Sequence, residues 1–246
     1  MRRTQALAGL FGVTLMGVLV AACGGSRQQG QISPEARLHV AEAAESSGDL
    51  GLARKMYVTA TTEAWGNRTI LLQAARGLAR SGAPADAIAL LDARLGQVPG
   101  DNEARRTLAS LQIVNGSPGE AAKNLRQVLA AQPGDDTARL NLAVSLDMLR
   151  RHSEAQPLYR EILLRTPSDT EAANDLALSL MLSGQQTEAR AVLQPFRGRA
   201  DLPERLKTTF TLVDSPPGAE TQANVAALSR ALSGQAAATL TGPQPK

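Results

Sequence analysis

The chain has 246 residues, with 26 Lys and Arg against 23 Asp and Glu, an aromatic content of 2% and a single cysteine. So few rings leave little for nucleic-acid bases to stack on. Once Arg2 and Arg3 are set aside the charge is nearly balanced, with no basic stripe to neutralise phosphates, so no nucleic-acid partner is expected.

The chain opens on an address. Met1 to Gln5 carries two arginines, and the 17 residues from Ala6 to Ala22 are uncharged, the pattern of an export signal. An uncleaved membrane anchor is the alternative, although the run falls short of the ~20 apolar residues a spanning helix needs and is interrupted by Gly9, Gly12 and Gly17. Val20-Ala21-Ala22-Cys23 resembles the bacterial lipobox. Residues 1–22 are therefore expected to be a lipoprotein signal peptide, with Cys23 the acylated (palmitate-bearing) residue. Several acyl chains, each worth ~0.8 kcal/mol per buried methylene, make a durable anchor. With Cys23 lipidated, the mature chain has no thiol left for a disulfide. Gly24 stands where many lipoproteins of the inner membrane carry Asp, so the resemblance implies the outer membrane, facing the periplasm. Residues 23–33 form the lipidated cysteine and a glycine-rich tether spanning ~18 Å as a flexible coil.

From Pro34 the chain repeats every 34 residues. Small residues recur at Ala41, Ala75, Ala109, Ala143 and Ala177, glycines at Gly48, Gly82, Gly116, Gly184 and Gly218, and alanines again at Ala53, Ala87, Ala121, Ala155, Ala189 and Ala223. The columns predict paired helices in each unit: small residues where the helices meet, a left-handed glycine between them, and a proline that stops the second helix. Five units follow, 34–67, 68–101, 102–135, 136–169 and 170–203. In the first, Trp65 stands where later units carry Pro99, Pro133 and Pro167. In the fourth, Arg150 replaces glycine, which predicts the least regular turn. In the fifth the closing proline is displaced to Pro203. A degenerate sixth hairpin is expected at 204–235, where Pro216-Pro217 forces a turn, and a disordered tail at 236–246. Fixed periodicity of this kind builds a solenoid in which each unit packs only on its neighbours.

This helix-turn-helix unit, with its alanine, glycine and proline columns, resembles the tetratricopeptide repeat (TPR). The resemblance implies an all-α, right-handed superhelix of about five repeats plus a degenerate sixth hairpin, with the first helix of each unit lining a concave face. Asn141-Leu142-Ala143-Val144-Ser145-Leu146, Asn174 to Leu180 and Ala223 to Leu228, taken with the lipobox, further resemble the TadD lipoproteins of the tight-adherence (Flp) pilus apparatus. Pilotin lipoproteins of type IV pili share the same architecture.

Little catalytic chemistry is legible. His39 and His152 lack the spacing or cysteine partners of a metal site, no glycine-rich nucleotide loop is present, and no cofactor or small-molecule substrate is expected. Helical phase instead puts Leu38, Leu72, Arg76, Arg80, Arg106, Leu140, Val144, Met148, Asn174, Leu178 and Met181 on the concave face. Arg76, Arg80 and Arg106 would form a basic entrance, and Val144, Met148, Leu178 and Met181 an apolar trough for a partner segment. The expectation is a non-enzymatic, lipid-anchored scaffold for a pilus or secretion machine, with a secretin or another envelope component as its protein partner. An adaptor serving peptidoglycan or lipoprotein biogenesis enzymes is the alternative.

Overall fold

The computed structural model describes residues 32–215. The expected signal peptide, Cys23, most of the expected tether, Gly218, Ala223, the remainder of the expected sixth hairpin and the expected tail lie outside the described residues.

The first helices of the units are α1 (Pro34–Ser46), α3 (Arg68–Arg80), α5 (Asn102–Val114), α7 (Asp136–Met148) and α9 (Thr170–Leu182). The second helices are α2 (Leu50–Glu63), α4 (Pro84–Gln97), α6 (Pro118–Ala131), α8 (His152–Arg165) and α10 (Gln186–Leu193). The last helix among the described residues, α11 (Glu204–Asp214), begins a sixth unit. Every first helix starts 34 residues after the one before it, and α11 keeps that register.

Local chemistry fixes these boundaries. Each first helix of the five units is capped by a side-chain acceptor on its opening amides: Ser33, Asn67, Asp101, Asp135 and Asp169. Pro84 and Pro118 open α4 and α6, where the missing amide would have had no partner. Between paired helices, Gly48, Gly82, Gly116 and Gly184 take φ of 83°, 81°, 75° and 77°. Arg150 does the same at φ 61°. The turn expected to be least regular is therefore regular: Arg150 N donates to Asp147 O and Arg151 N to Leu146 O, at 2.9 and 2.8 Å. Gly116 and Ser117 make the same pair of bonds to Ile113 and Gln112. Geometry overrides residue preference here, because the two helices packed on either side fix the path.

Two other departures have local causes. Trp65 fills the first proline position and donates its indole N–H to Gln97 Oε1 of the next unit at 2.6 Å. In the fifth unit Pro195, rather than Pro203, stops the second helix, so α10 is 8 residues long where its counterparts have 14 and passes into a 3-10 turn at Gln194–Phe196. Pro203 instead caps α11.

Both alanine columns are fully buried from Ala41 to Ala177 and from Ala53 to Ala189. Successive first helices touch each other as well as their own partners, while the second helices meet only first helices and their own hairpin mates at comparable closeness. The array therefore curves with the first helices inside. Its core falls into two blocks. One gathers the first two units and reaches Ala104, Leu108 and Leu111 of α5. The other begins at Ala109 and Ile113 of the same helix and runs to Val213 of α11.

Candidate partner-binding site

The inner face is built from side chains one or two turns apart on the first helices, and its most regular feature is a line of polar rungs. Arg80 Nε and Nη2 donate to Glu45 at 2.6 and 3.0 Å, joining α3 to α1. Arg76 Nη2 reaches Thr107 Oγ1 at 3.4 Å, joining α3 to α5. Asn141 Nδ2 donates to Ser110 Oγ at 3.1 Å, Ser179 Oγ to Asp147 Oδ1 at 2.7 Å, and Thr209 Oγ1 to Asn174 Oδ1 at 2.7 Å. At least one side-chain bond thus spans every junction between consecutive first helices from α1 to α11.

Two rungs carry an acid, half-buried at Glu45 and buried at Asp147. Glu45 also accepts from Tyr57 Oη at 2.8 Å, and Asp147 from Tyr159 Oη at 3.0 Å, the two acid–tyrosine pairs occupying equivalent places in the first and fourth units. Burial pushes Glu45 up, but the hydrogen bonds from Arg80 and Tyr57 and the Arg80 charge outweigh it and hold the carboxyl below its ordinary range. At Asp147 burial wins: its pKa is raised despite bonds from His152, Ser179 and Tyr159. His152 is largely covered, and its Nδ1 lies 2.8 Å from Asp147 Oδ1. His39 is the exposed histidine. Asp, His and Ser do meet at this point, yet Ser179 donates straight to the carboxylate. The imidazole sits on the same carboxylate, so the hydroxyl has no base and the wiring is not that of a nucleophilic triad. Among the described residues no group of His, Cys, Asp and Glu is placed to hold a metal ion, and no helix is long and apolar enough to cross a membrane.

The expected apolar trough is closed. Val144 and Leu178 are 2% and 1% exposed, and Leu140 and Asn174 are buried with them. Neighbouring first helices stand close enough to cover side chains at those positions, and Leu178 packs with Met181, Leu182 and, from α11, Leu212. Met148 and Met181 remain half-buried against the core. Leu38 and Leu72 are also core residues.

The expected basic entrance divides by pairing. Arg80 is neutralised by Glu45, and its pKa is raised by that hydrogen bond. Arg106 pairs with Asp135 at 2.8 Å, the carboxylate that also caps α7. Arg76 differs: among the described residues no carboxylate lies within ion-pair distance of it. Glu103 opposes its deprotonation but is itself paired with Arg68 at 3.3 Å. Burial lowers the Arg76 pKa, and the Arg106 and Arg80 charges lower it further.

Residues 72–136 and 112–174 match family models described as tetratricopeptide repeat. A tetratricopeptide repeat protein from Parabacteroides merdae superposes with a TM-score of 0.61 at 17% identity, covering 82% of this chain and 85% of that one. The fold is that of the tetratricopeptide repeat. A crystal structure of MamA protein superposes on the TPR array with a TM-score of 0.55 at 19% identity, covering 69% of this chain and 98% of that one. A second MamA structure, from AMB-1, gives 0.53 at 20% identity, covering 65% and 94%. No match was found among curated proteins.

Arg37 and Arg139 share one repeat position early in the first helix, where the second and fifth units carry Leu71 and Ala173: Arg37 pairs with Glu63 at 2.9 Å, and Arg139, nearly buried, with Glu161 at 2.9 Å and with Asp136. The rungs were missed in the sequence although their signal was present. Glu45 and Asp147 share one repeat position, and Tyr57 and Tyr159 share another, so acid and tyrosine recur together.

Proposed function

We propose that this protein is a non-enzymatic scaffold of the cell envelope, held to the outer membrane through Cys23, whose inner TPR face binds a component of a Flp-type pilus or related secretion machine. A secretin subunit is the partner favoured by the resemblance to TadD lipoproteins. The observation that carries the reading is Arg76: a half-buried cation with no carboxylate partner among the described residues, on the inner face beside Arg80 and Arg106, which are both paired. Such a group is left in place at a cost unless something anionic binds there.

The lipobox supports the anchor, and the tether would hold the array clear of the headgroups. Three experiments test the reading. Cys23→Ser should move the protein from the membrane to the soluble envelope fraction. Deletion of the gene should reduce secretin multimers in the outer membrane, and crosslinking in native envelopes should capture the partner. Normal multimers in the deletion strain would remove the secretin assignment.

A further inference from the structure

A solenoid stays soluble as a single copy when its end units turn polar faces outward. The front end of this array does not. Ala104, Leu108 and Leu111 of α5 are set into the core of the first two units, and the same three repeat positions are buried in α3, α7 and α9. In α1 those positions hold Ala36, Val40 and Ala43, where Val40 is 38% exposed and Ala43 is exposed. The second helices repeat the pattern. Arg160 of α8 pairs with Glu188 of α10 at 2.5 Å, so the Glu188 position points back toward the preceding unit. Its counterparts are Asp86, Glu120 and Glu154 in the middle units but Leu52 in the first, 40% exposed. Gly24 to Ser33, just before α1, carries Ile32 as its one large apolar residue and is no substitute for a preceding hairpin.

We infer that copies of this chain stack head to tail, the sixth hairpin of one seating on α1 and α2 of the next, with Leu228 against Leu52. The repeat register selects this occupant. Segment 220–233 holds the place of a second helix, and within it the Arg160 position, which points forward, is Leu228. The two ends therefore carry a pair of leucines where the joint between the fourth and fifth units carries an ion pair. A second contact is matched as well: Gln156 Nε2 donates to Ser183 Oγ at 2.9 Å, and the residues at those positions on the two ends are Asn224 and Ser47, again an amide and a hydroxyl. One pair is mismatched. Arg68 and Glu103 meet at 3.3 Å inside the array, and their end counterparts are Glu204 and Glu35, two acids. Their repulsion makes the joint reversible, and salt should strengthen it. A contact between unlike ends does not close on itself, so it builds open chains rather than dimers. The inference goes beyond the scaffold reading and does not depend on which partner the inner face binds.

The test is light scattering of the full-length chain in detergent over a range of concentrations. Its mass should rise past two copies as concentration increases, and further with salt. Leu52→Glu and Leu228→Glu should each remain monomeric, yet their equal mixture should form a dimer and nothing longer, because each variant keeps one intact end. That dimer also shows that both variants fold. Glu35→Lys should tighten association about five-fold by facing Glu204, and adding Glu204→Lys should return it to the starting strength. A monomer at every concentration would overturn the inference and leave the front face to this chain's own tail or to another protein. Assembly that stops at two copies, an unchanged mass for Leu52→Glu, or a mixture that stays monomeric would overturn it too. Secretin multimers in the deletion strain report on the scaffold reading alone, so the two can fail separately.

Discussion

Gly77 shows how narrowly single residues are specified. A Cβ at this position would lie 2.1 Å from Cζ of the Tyr57 ring, which is fully buried and hydrogen-bonded to Glu45. The ring cannot swing aside without breaking that bond, so Gly77→Ala should destabilise the protein by about 1–3 kcal/mol, read as a lower urea midpoint. Arg150 presents the opposite case, a side chain where glycine would be easier. Its left-handed backbone is strained for a residue with a Cβ. Arg150→Gly should therefore stabilise the fold by about 0.5–1 kcal/mol after allowing for the greater freedom of glycine in the unfolded chain, visible as a raised thermal midpoint. The two equivalent acids should respond to pH in opposite senses. Glu45 has a folded pKa below its ordinary 4.5, so it stabilises the fold above that value and its contribution fades as pH falls through the folded pKa. Asp147 is raised above its ordinary 3.8, so the folded chain takes up the proton first and stability declines as pH rises from 3.8 through the folded pKa. At neutral pH, Glu45→Gln should lose about 1 kcal/mol and Asp147→Asn should lose less, despite its deeper burial. Urea midpoints for both variants at acid and neutral pH check this, and the Glu45→Gln deficit should vanish in acid.

At the scale of the helices, nearly all of the described architecture was legible, because each boundary is set by a local cause that recurs. Caps at Asn67, Asp101, Asp135 and Asp169 and the left-handed glycines sit at fixed repeat positions, and periodicity averages away the ambiguity any one of them would carry. The inner face was less legible. Helical phase gave the correct side of each first helix but not how closely the next first helix approaches. It therefore placed Val144 and Leu178 in a trough that the neighbouring helices close. Phase was also blind to pairing: Arg76, Arg80 and Arg106 look alike in sequence, and only the partners Glu45 and Asp135 set Arg76 apart. The shortened α10 was missed because Pro195 falls between the repeating columns.

Across the whole array, stability accumulates from units and their junctions rather than from one central core. The final junction matters most for solubility, because α11 sets Leu206 and Val213 into the last core and covers Leu178 with Leu212. Gln186 and Arg190 of α10 hold its last carbonyls, with bonds of 2.8 and 2.9 Å to Val213 O. A chain ended at Asp201 should lose thermal stability and self-associate on size exclusion, since apolar surface of α9 is then exposed. The junction between the second and third units has a different character. The two core blocks meet inside α5, and the rung that ties α3 to this helix is the longest of the five, a guanidinium resting on a neutral hydroxyl at 3.4 Å. Arg76 and the Arg68–Glu103 pair at 3.3 Å both tie α3 to α5. Between first helices, the front two units therefore hang on the third by one long neutral contact and one exposed ion pair, a joint that salt should loosen.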